Sequence, residues 1–141
     1  MSGLWETGAN WGLLLIRIGL GLVFMFHGYP KMTGRWEGCK GSRESVKKSI
    51  QRLGLPCPHQ LAITVGIIEY FGGFLLLAGL FTRWVALAIA VVMVVASGRN
   101  YSEKGFLGGA DMPFSLFMTL LALFLLGSGS LSLDALLWKS Y

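Results

Sequence analysis

Four long apolar runs alternate with polar connections along this chain. They cover residues 11–29, 59–80, 84–100 and 113–131. A helix needs roughly 20 mostly apolar residues to cross the hydrocarbon core of a bilayer. The third run is short and reaches that length only by continuing past Arg99, with its polar side chains snorkelling to the interface. The pattern predicts an all-α integral membrane four-helix bundle whose two termini lie on the same side.

The connection between the first two runs has a helical pattern of its own, at about residues 43–53. Its apolar positions recur at helical spacing on one face, and they are Val46, Ile50 and Leu53. Ser42 or Ser45 can cap the amino end, and Gly54 followed by Pro56 ends the helix. We therefore predict a short amphipathic interfacial helix on the membrane surface. A solvated basic loop is the alternative.

The composition excludes most soluble classes of protein. Hydrophobic residues make up 54% of the chain and charged residues 13%, whereas a soluble domain has about 25% charged residues. The formal net charge of +5 comes mainly from the connections. Basic connections between apolar runs indicate the anionic face of a membrane, and we expect no nucleic acid partner.

Lysine and arginine are distributed unequally between the two sides of the predicted bundle. Loops one and three carry nine of them, and the opposite side carries only Arg83 and Lys139. The nine are Lys31, Arg35, Lys40, Arg43, Lys47, Lys48, Arg52, Arg99 and Lys104. The positive-inside rule then places loops one and three in the cytoplasm and both termini outside, in the inner membrane of a bacterial or archaeal cell.

Ionisable residues inside the apolar runs are the first candidates for chemistry, because a charge in hydrocarbon is costly and usually faces a partner or a polar cavity. They are Arg17, His27 and Glu69. One helical face of the first run combines Arg17, Gly21, Phe24, Gly28 and Lys31, and Gly66, Gly72 and Gly73 flank Glu69 on the second. Small residues let backbones approach, so we expect the two faces to pack together or to line one narrow polar pocket.

Depth in the membrane indicates which of these groups pair. At about 1.5 Å per residue, Arg17 lies about 9 Å, Glu69 about 17 Å and His27 about 24 Å from the outer end. Side chains lean toward the amino end of their helix, which tips Glu69 toward His27 and Lys31. We therefore favour a pair of Glu69 with His27, directly or through a water, over a close pair of Glu69 with Arg17. The pair is either a structural contact that fixes the register of the bundle or a centre that exchanges protons or binds a ligand.

Cysteine and histidine offer little for metal binding. Cys39 and Cys57 lie in the same loop without a C-x-x-C pair, and we expect free thiols in the cytoplasm. The cluster of Cys57, Pro58 and His59 is too sparse for a zinc site. His59 lies at the end of a run, so haem ligation with His27 is disfavoured. We assign no metal ligand and no catalytic residue.

Three segments in order resemble the DoxX family of small four-span membrane proteins. Residues 14–31 read LLIRIGLGLVFMFHGYPK, which resembles the opening of that family. Residues 69–73 with 79–83 resemble its second-span block, and residues 126–134 its carboxy-terminal signature. The resemblance covers almost the whole chain, which we interpret as a single DoxX-like membrane domain over residues 1–141. Where family members often have Gly-Gly-x-Glu before the last span, this chain has Gly108-Gly109-Ala110-Asp111.

The resemblance implies a role linked to quinones. Family members are described as subunits of thiosulfate:quinone oxidoreductase or quinol oxidase systems, and others as partners of oxidative-stress proteins. It implies a quinone or quinol as the ligand, no covalently bound cofactor, and other membrane oxidoreductase subunits as partners, beside the lipid bilayer. A homo-oligomer is compatible with it. The candidates for a polar centre or quinone site are Arg17, His27, Lys31, Glu69 and Arg83.

Three functions follow, in this order. The first is a non-catalytic accessory subunit of a membrane oxidoreductase, lining a quinone site. The second is a membrane scaffold or assembly factor without such a site. The third is a transporter of small solutes or lipids, which ranks last because four helices enclose little room and no inverted repeat or broken helix is visible. A cavity at the contact of the first two spans would distinguish the accessory subunit with a quinone site from the scaffold without one.

Overall fold

The computed structural model describes residues 2–35 and 42–138, and every regular element in them is a helix. The helices are α1 (Ser2–Thr33), α2 (Arg43–Arg52), α3 (Pro58–Ala78), α4 (Thr82–Lys104), α5 (Asp111–Leu126) and α6 (Leu133–Trp138), with a π-helical turn at Phe106–Ala110 before α5. Four of the helical stretches are long and apolar enough to cross a membrane. The prediction of an all-α integral membrane bundle is confirmed. Cys39, Lys40 and Lys139 lie outside the described residues.

The bounds of the third and fourth spans differ from the apolar runs seen in the sequence. α4 continues to Lys104, past the end of its apolar run, as its short length required. The fourth span covers Phe106–Leu126, whereas the sequence predicted 113–131. It ends early because Gly127, with φ of 85°, adopts a backbone that other residues rarely take.

The helix predicted in the first loop is present as α2. Ser42 caps its amino end, and its hydroxyl accepts a hydrogen bond from the Ser45 amide at 3.5 Å. Ser49 and Ile50 are buried, and α2 packs mainly against α3. Leu53, the residue that follows the last one of α2, is 50% exposed. α2 is thus an interfacial helix held against the bundle.

α1 and α3 are antiparallel and approach each other closely along their glycines. A Cβ atom at Gly28 would lie 2.7 Å from the Gly66 carbonyl oxygen. A Cβ atom at Gly21 would lie 2.8 Å from the Gly73 carbonyl oxygen. Such distances leave no room for a methyl group between the backbones, so the two glycine-bearing faces pack together as expected.

The apolar core lies where the four long helices meet. α1 packs mainly on α3 and α4 mainly on α5, and the core joins these two pairs. It consists of Leu20, Phe24, Leu76, Ala86, Ile89, Ala90, Met93, Leu120 and Leu123. We call the end of the bundle with α2 the first-loop end, and the end with the tight α3–α4 connection the turn end.

Candidate functional site

A buried ion pair joins α1 to α3. The Lys31 ammonium donates a hydrogen bond to Glu69 Oε2. Glu69 is fully buried, and Lys31 is 6% exposed. Glu69 lies nine residues from the end of α3 at Ala78, or about 14 Å at 1.5 Å per residue, which is near the middle of the span. Lys31 lies only two residues from the end of α1, so its side chain reaches inward from the first-loop end.

The expected pair between Glu69 and His27 is not formed. His27 is exposed, and its Nδ1 atom lies 2.9 Å from the Val23 carbonyl oxygen of its own helix. His27 precedes Gly28 by one residue, which rotates it about 100° away from the glycine face that meets α3. Lys31 is on that face and is long enough to reach Glu69. The partner of Glu69 is therefore decided by the side of α1 from which a side chain projects, and not by its depth in the membrane.

A cavity of about 350 Å³ extends from Glu69 toward the first-loop end. Its walls are largely apolar, with Phe24 from α1, Met93 from α4 and Leu116 from α5 among them. Lys31 and His27 also line it, and α2 contributes Ser45 and Val46. The cavity therefore combines an apolar wall with a charged pair at mid-span depth.

Glu69, one of the residues that line this cavity, has an unused acceptor. In the described part of the chain, Glu69 Oε1 is buried and has no hydrogen-bond partner. An unsatisfied buried polar atom costs about 1–3 kcal/mol, and more where the group is charged. A ligand in the cavity that donates a hydrogen bond to Oε1 would remove this cost.

Basic side chains surround the first-loop end of the cavity. Arg99 and Lys104 of α4 line it. The Arg99 guanidinium donates to Glu103 at 3.3 Å, and Arg52 of α2 donates to the same carboxylate at 2.9 Å. These bonds tie the end of α2 to the end of α4.

Two of the five candidate residues lie at the opposite end of the bundle. Arg17 is fully buried there and donates to the Leu131 carbonyl. It precedes Lys31 by 14 positions in the same helix, which separates the two by about 21 Å along the axis. Arg83 is exposed at the start of α4 and donates to the Leu125 carbonyl at 3.4 Å. The structure thus brings together His27, Lys31 and Glu69, and separates Arg17 and Arg83 from them.

The turn end has a larger hollow of about 520 Å³ beside Arg83 and Asp134. Its acidic group is already occupied, because the Asp134 carboxylate accepts hydrogen bonds from the amides of Phe81 and Thr82. Trp84 on its wall is 71% exposed. The hollow is an open surface formed around a helix cap, so we place the candidate site at the Glu69 cavity.

Sequence reasoning missed the contribution of α4 to the site. Met93, Ala96, Asn100 and Lys104 all line the cavity. Their spacing of i, i+3, i+7 and i+11 puts them on one face of a helix. That pattern could have been found, but Met and Ala on such a face are also typical of an ordinary core. Asn100 and Lys104 are the polar exceptions on this face, and Asn100 donates to the Gly109 carbonyl at 2.8 Å.

Comparisons with known proteins agree on one family. The sequence model of the DoxX family matches residues 12–98. A Bacillus subtilis (strain 168) protein named "Putative oxidoreductase CatD" is 31% identical over 91% of this chain and 88% of its own length. A Haemophilus influenzae protein, named only as uncharacterized, is 30% identical over 95% of this chain and 88% of its own. No solved structure matches the chain.

Proposed function

The chain belongs to the DoxX family of membrane proteins, and from this we propose that it is an accessory subunit of a quinone-linked membrane oxidoreductase. In this proposal the cavity beside Glu69 holds the head group of a quinone or quinol. The unpaired, fully buried Glu69 Oε1 atom is the observation that carries the proposal. The name of the Bacillus subtilis relative supports a redox role for the family.

The cavity suits such a head group in size and in polarity. Ligand pockets in proteins typically measure about 300–1,000 Å³ and are mostly apolar with a few placed polar groups. This cavity of about 350 Å³ has Phe24 and Met93 on its wall and the Lys31 and Glu69 pair at one end. A quinone ring is flat and apolar with oxygens at its edge, which matches a wall of this kind.

The proposal assigns electron transfer to a partner subunit. The chain has no haem-attachment motif and no C-x-x-C pair, so we give it the role of holding and orienting the head group. Its exposed side chains along the spans are mostly apolar, among them Phe26, Phe71 and Val91. Such surfaces serve contacts with lipid and with other membrane subunits alike.

We also propose that the first-loop end faces the cytoplasm. By the spans predicted from the sequence, nine of the twelve Lys and Arg residues fall in loops one and three, and basic loops are retained on that side. The cavity would then be reached from the cytoplasmic half of the membrane, with the charged pair in the middle of the bilayer.

A substitution at Glu69 tests the proposed function. Glu69→Gln keeps the size of the side chain and an oxygen that can accept from Lys31, but it removes the charge. We expect the variant to assemble and to lose most quinone-linked activity, measured as quinone-dependent electron transfer in membranes that express the native complex. Glu6→Gln, at an exposed position near the start of α1, is the control and should leave the activity unchanged.

The same experiment distinguishes a subunit with a quinone site from a scaffold without one. If Glu69→Gln assembles with undiminished activity, the quinone site is wrong. If the variant instead fails to assemble with its partners, the pair serves the register of the bundle, and the scaffold function replaces the proposed one.

A further inference from the structure

The Glu69 cavity carries more positive than negative charge. Among the described residues, its lining has one carboxylate, Glu69, and three basic side chains, which are Lys31, Arg99 and Lys104. Glu103 pairs with Arg99, but it pairs with Arg52 as well, so this second carboxylate is shared between two cations. Four cations therefore face two carboxylates. An uncompensated charge near hydrocarbon is costly, so an anion from outside the chain would stabilise this end of the cavity.

Polar groups of the lining also have donors that the fold does not use. The Lys104 ammonium forms no ion pair, and the Ser45 hydroxyl forms no hydrogen bond, with any residue that the structure describes. Lys31 uses one of its three N–H donors on Glu69. A Cβ atom at Gly108 would lie 2.8 Å from the Lys104 Cβ atom, so the missing side chain there leaves room for the lysine stem. The unused donors suit an acceptor-rich anion such as a phosphate.

The basic residues lie at the depth of the lipid head groups. Lys104 is the last residue of α4, and Arg99 precedes it by five positions, about 7.5 Å along the axis. Lys31 is two residues from the end of α1, at the same end of the bundle. Long basic side chains near the end of a span extend toward the interface, which is where the phosphates of a bilayer are found.

The same cavity borders the acyl chains of the membrane. Met112, Pro113 and Leu116 of the fourth span line it. The side chain of Met112 is 50% exposed, and an exposed apolar side chain of a membrane span contacts lipid. A lipid at this position can place its head group on the basic residues and keep its chains in the bilayer. A free anion would satisfy the charge alone.

We propose that the basic end of the cavity binds an anionic phospholipid, whose phosphate accepts hydrogen bonds from Lys104 and Ser45 and whose chains lie beside Met112. Basic pockets between membrane helices recur as sites for acidic head groups. The site goes beyond the proposed function and needs no quinone. Met93, on the wall that the proposed function gives to the quinone, precedes Lys104 by 11 positions, roughly 16 Å along α4.

The lipid preference of the delipidated protein tests this proposal. The full-length protein in mild detergent is titrated with phosphatidylglycerol and with phosphatidylcholine of the same chains, and bound lipid is counted by native mass spectrometry. Both lipids have a phosphodiester, but phosphatidylcholine adds a fixed cation that would lie near Lys104. We expect phosphatidylglycerol to bind at least about fivefold more tightly, since one basic residue beside an anionic lipid contributes about that factor.

Two lysines at the first-loop end distinguish a site from general attraction. Lys104→Gln removes a cation that lines the cavity, so the preference for phosphatidylglycerol should fall to about twofold or less. Lys48→Gln removes the same charge from an exposed position of α2 outside the cavity lining, and it should keep the preference. Lys104→Arg retains the charge and should retain the preference. Without added lipid, all three variants should melt with the unsubstituted protein.

Inorganic phosphate is the probe for a free anion. At matched ionic strength it should displace phosphatidylglycerol no better than chloride does, and stronger displacement would make a free anion the ligand and overturn the lipid. Equal binding of the two lipids, binding of neither, or an equal loss in Lys104→Gln and Lys48→Gln would overturn the site. These titrations contain no quinone, so their failure leaves the proposed function to its own test at Glu69.

Discussion

The carboxylate of Asp134 lies 2.9 Å from the amide nitrogen of Thr82, across 52 residues of sequence. It also accepts a hydrogen bond from the Phe81 amide at 2.7 Å. α4 begins at Thr82 without a side-chain cap from its own preceding residue. Asp134 therefore supplies from a distance the cap that helices usually take locally. Arg17 bonds to Leu131 just before it, so the carboxy-terminal segment closes the turn end of the bundle.

Replacing the distant cap should destabilise the protein. Asp134→Ala removes two hydrogen bonds to the amino end of α4, and the loss of a helix cap costs about 1–2 kcal/mol. We expect a lower melting temperature in detergent. Asp111→Ala is the control, because Asp111 is exposed in the first turn of α5, where no side-chain cap is formed. Equal melting of the two variants would show that Asp134 is no cap.

The glycine contact between α1 and α3 predicts a position-specific loss of stability. In Gly28→Ala the added methyl group meets the backbone of α3 at Gly66 and Tyr70, and overpacking of this kind costs about 1–3 kcal/mol. Gly19→Ala in the same helix has open space around its Cβ position and should be neutral or slightly stabilising. Thermal unfolding of both variants checks this. A Gly28→Ala protein as stable as Gly19→Ala contradicts the close approach.

The ion pair should make the effects of substitutions at Lys31 and Glu69 on stability non-additive. Lys31→Met leaves Glu69 at mid-span without its partner, and removing one member of a buried pair costs about 3–5 kcal/mol. Adding Glu69→Gln to Lys31→Met should restore much of this stability, because no charge then remains buried. Lys104→Met at an exposed position is the control. Thermal unfolding of the single and double variants measures the coupling, and a double variant less stable than Lys31→Met would argue against the pair.

Sidedness can be tested at Cys57, which is exposed at the first-loop end. In a Cys39→Ser background, a membrane-impermeant maleimide should leave Cys57 unlabelled in intact cells and label it after lysis. The matched control is Ser130→Cys with both native cysteines replaced by serine. Ser130 is exposed at the turn end, so its thiol should react in intact cells. The reverse pattern of labelling would place the first loop outside.

The fold was accessible from the sequence because run length and glycine spacing are local properties. The four apolar runs indicated the number of spans. The helical periodicity placed Gly21 and Gly28 on one face of the first span, and this face meets α3. The pairing of Glu69 was wrong because it was judged by depth, whereas the rotation of His27 about the helix axis decides it. A narrow polar pocket between the first two spans was one of the expectations, but the share of α4 and α5 in the cavity was not predicted, because the α4 face that lines it also resembles an ordinary core face.

The most direct test of the account is whether a quinone or quinol occupies the cavity beside Glu69. Ala96 lines the cavity, and Ala88 on the same helix is exposed and does not line it. Ala96→Phe should fill the space, whereas Ala88→Phe adds the same bulk to the outer face of α4. Each protein is purified in mild detergent, its melting temperature is checked, and its binding of a short-tailed benzoquinol is measured. We expect Ala96→Phe to lose binding at least tenfold and Ala88→Phe to bind as the unsubstituted protein does. Equal binding by both folded variants would contradict it.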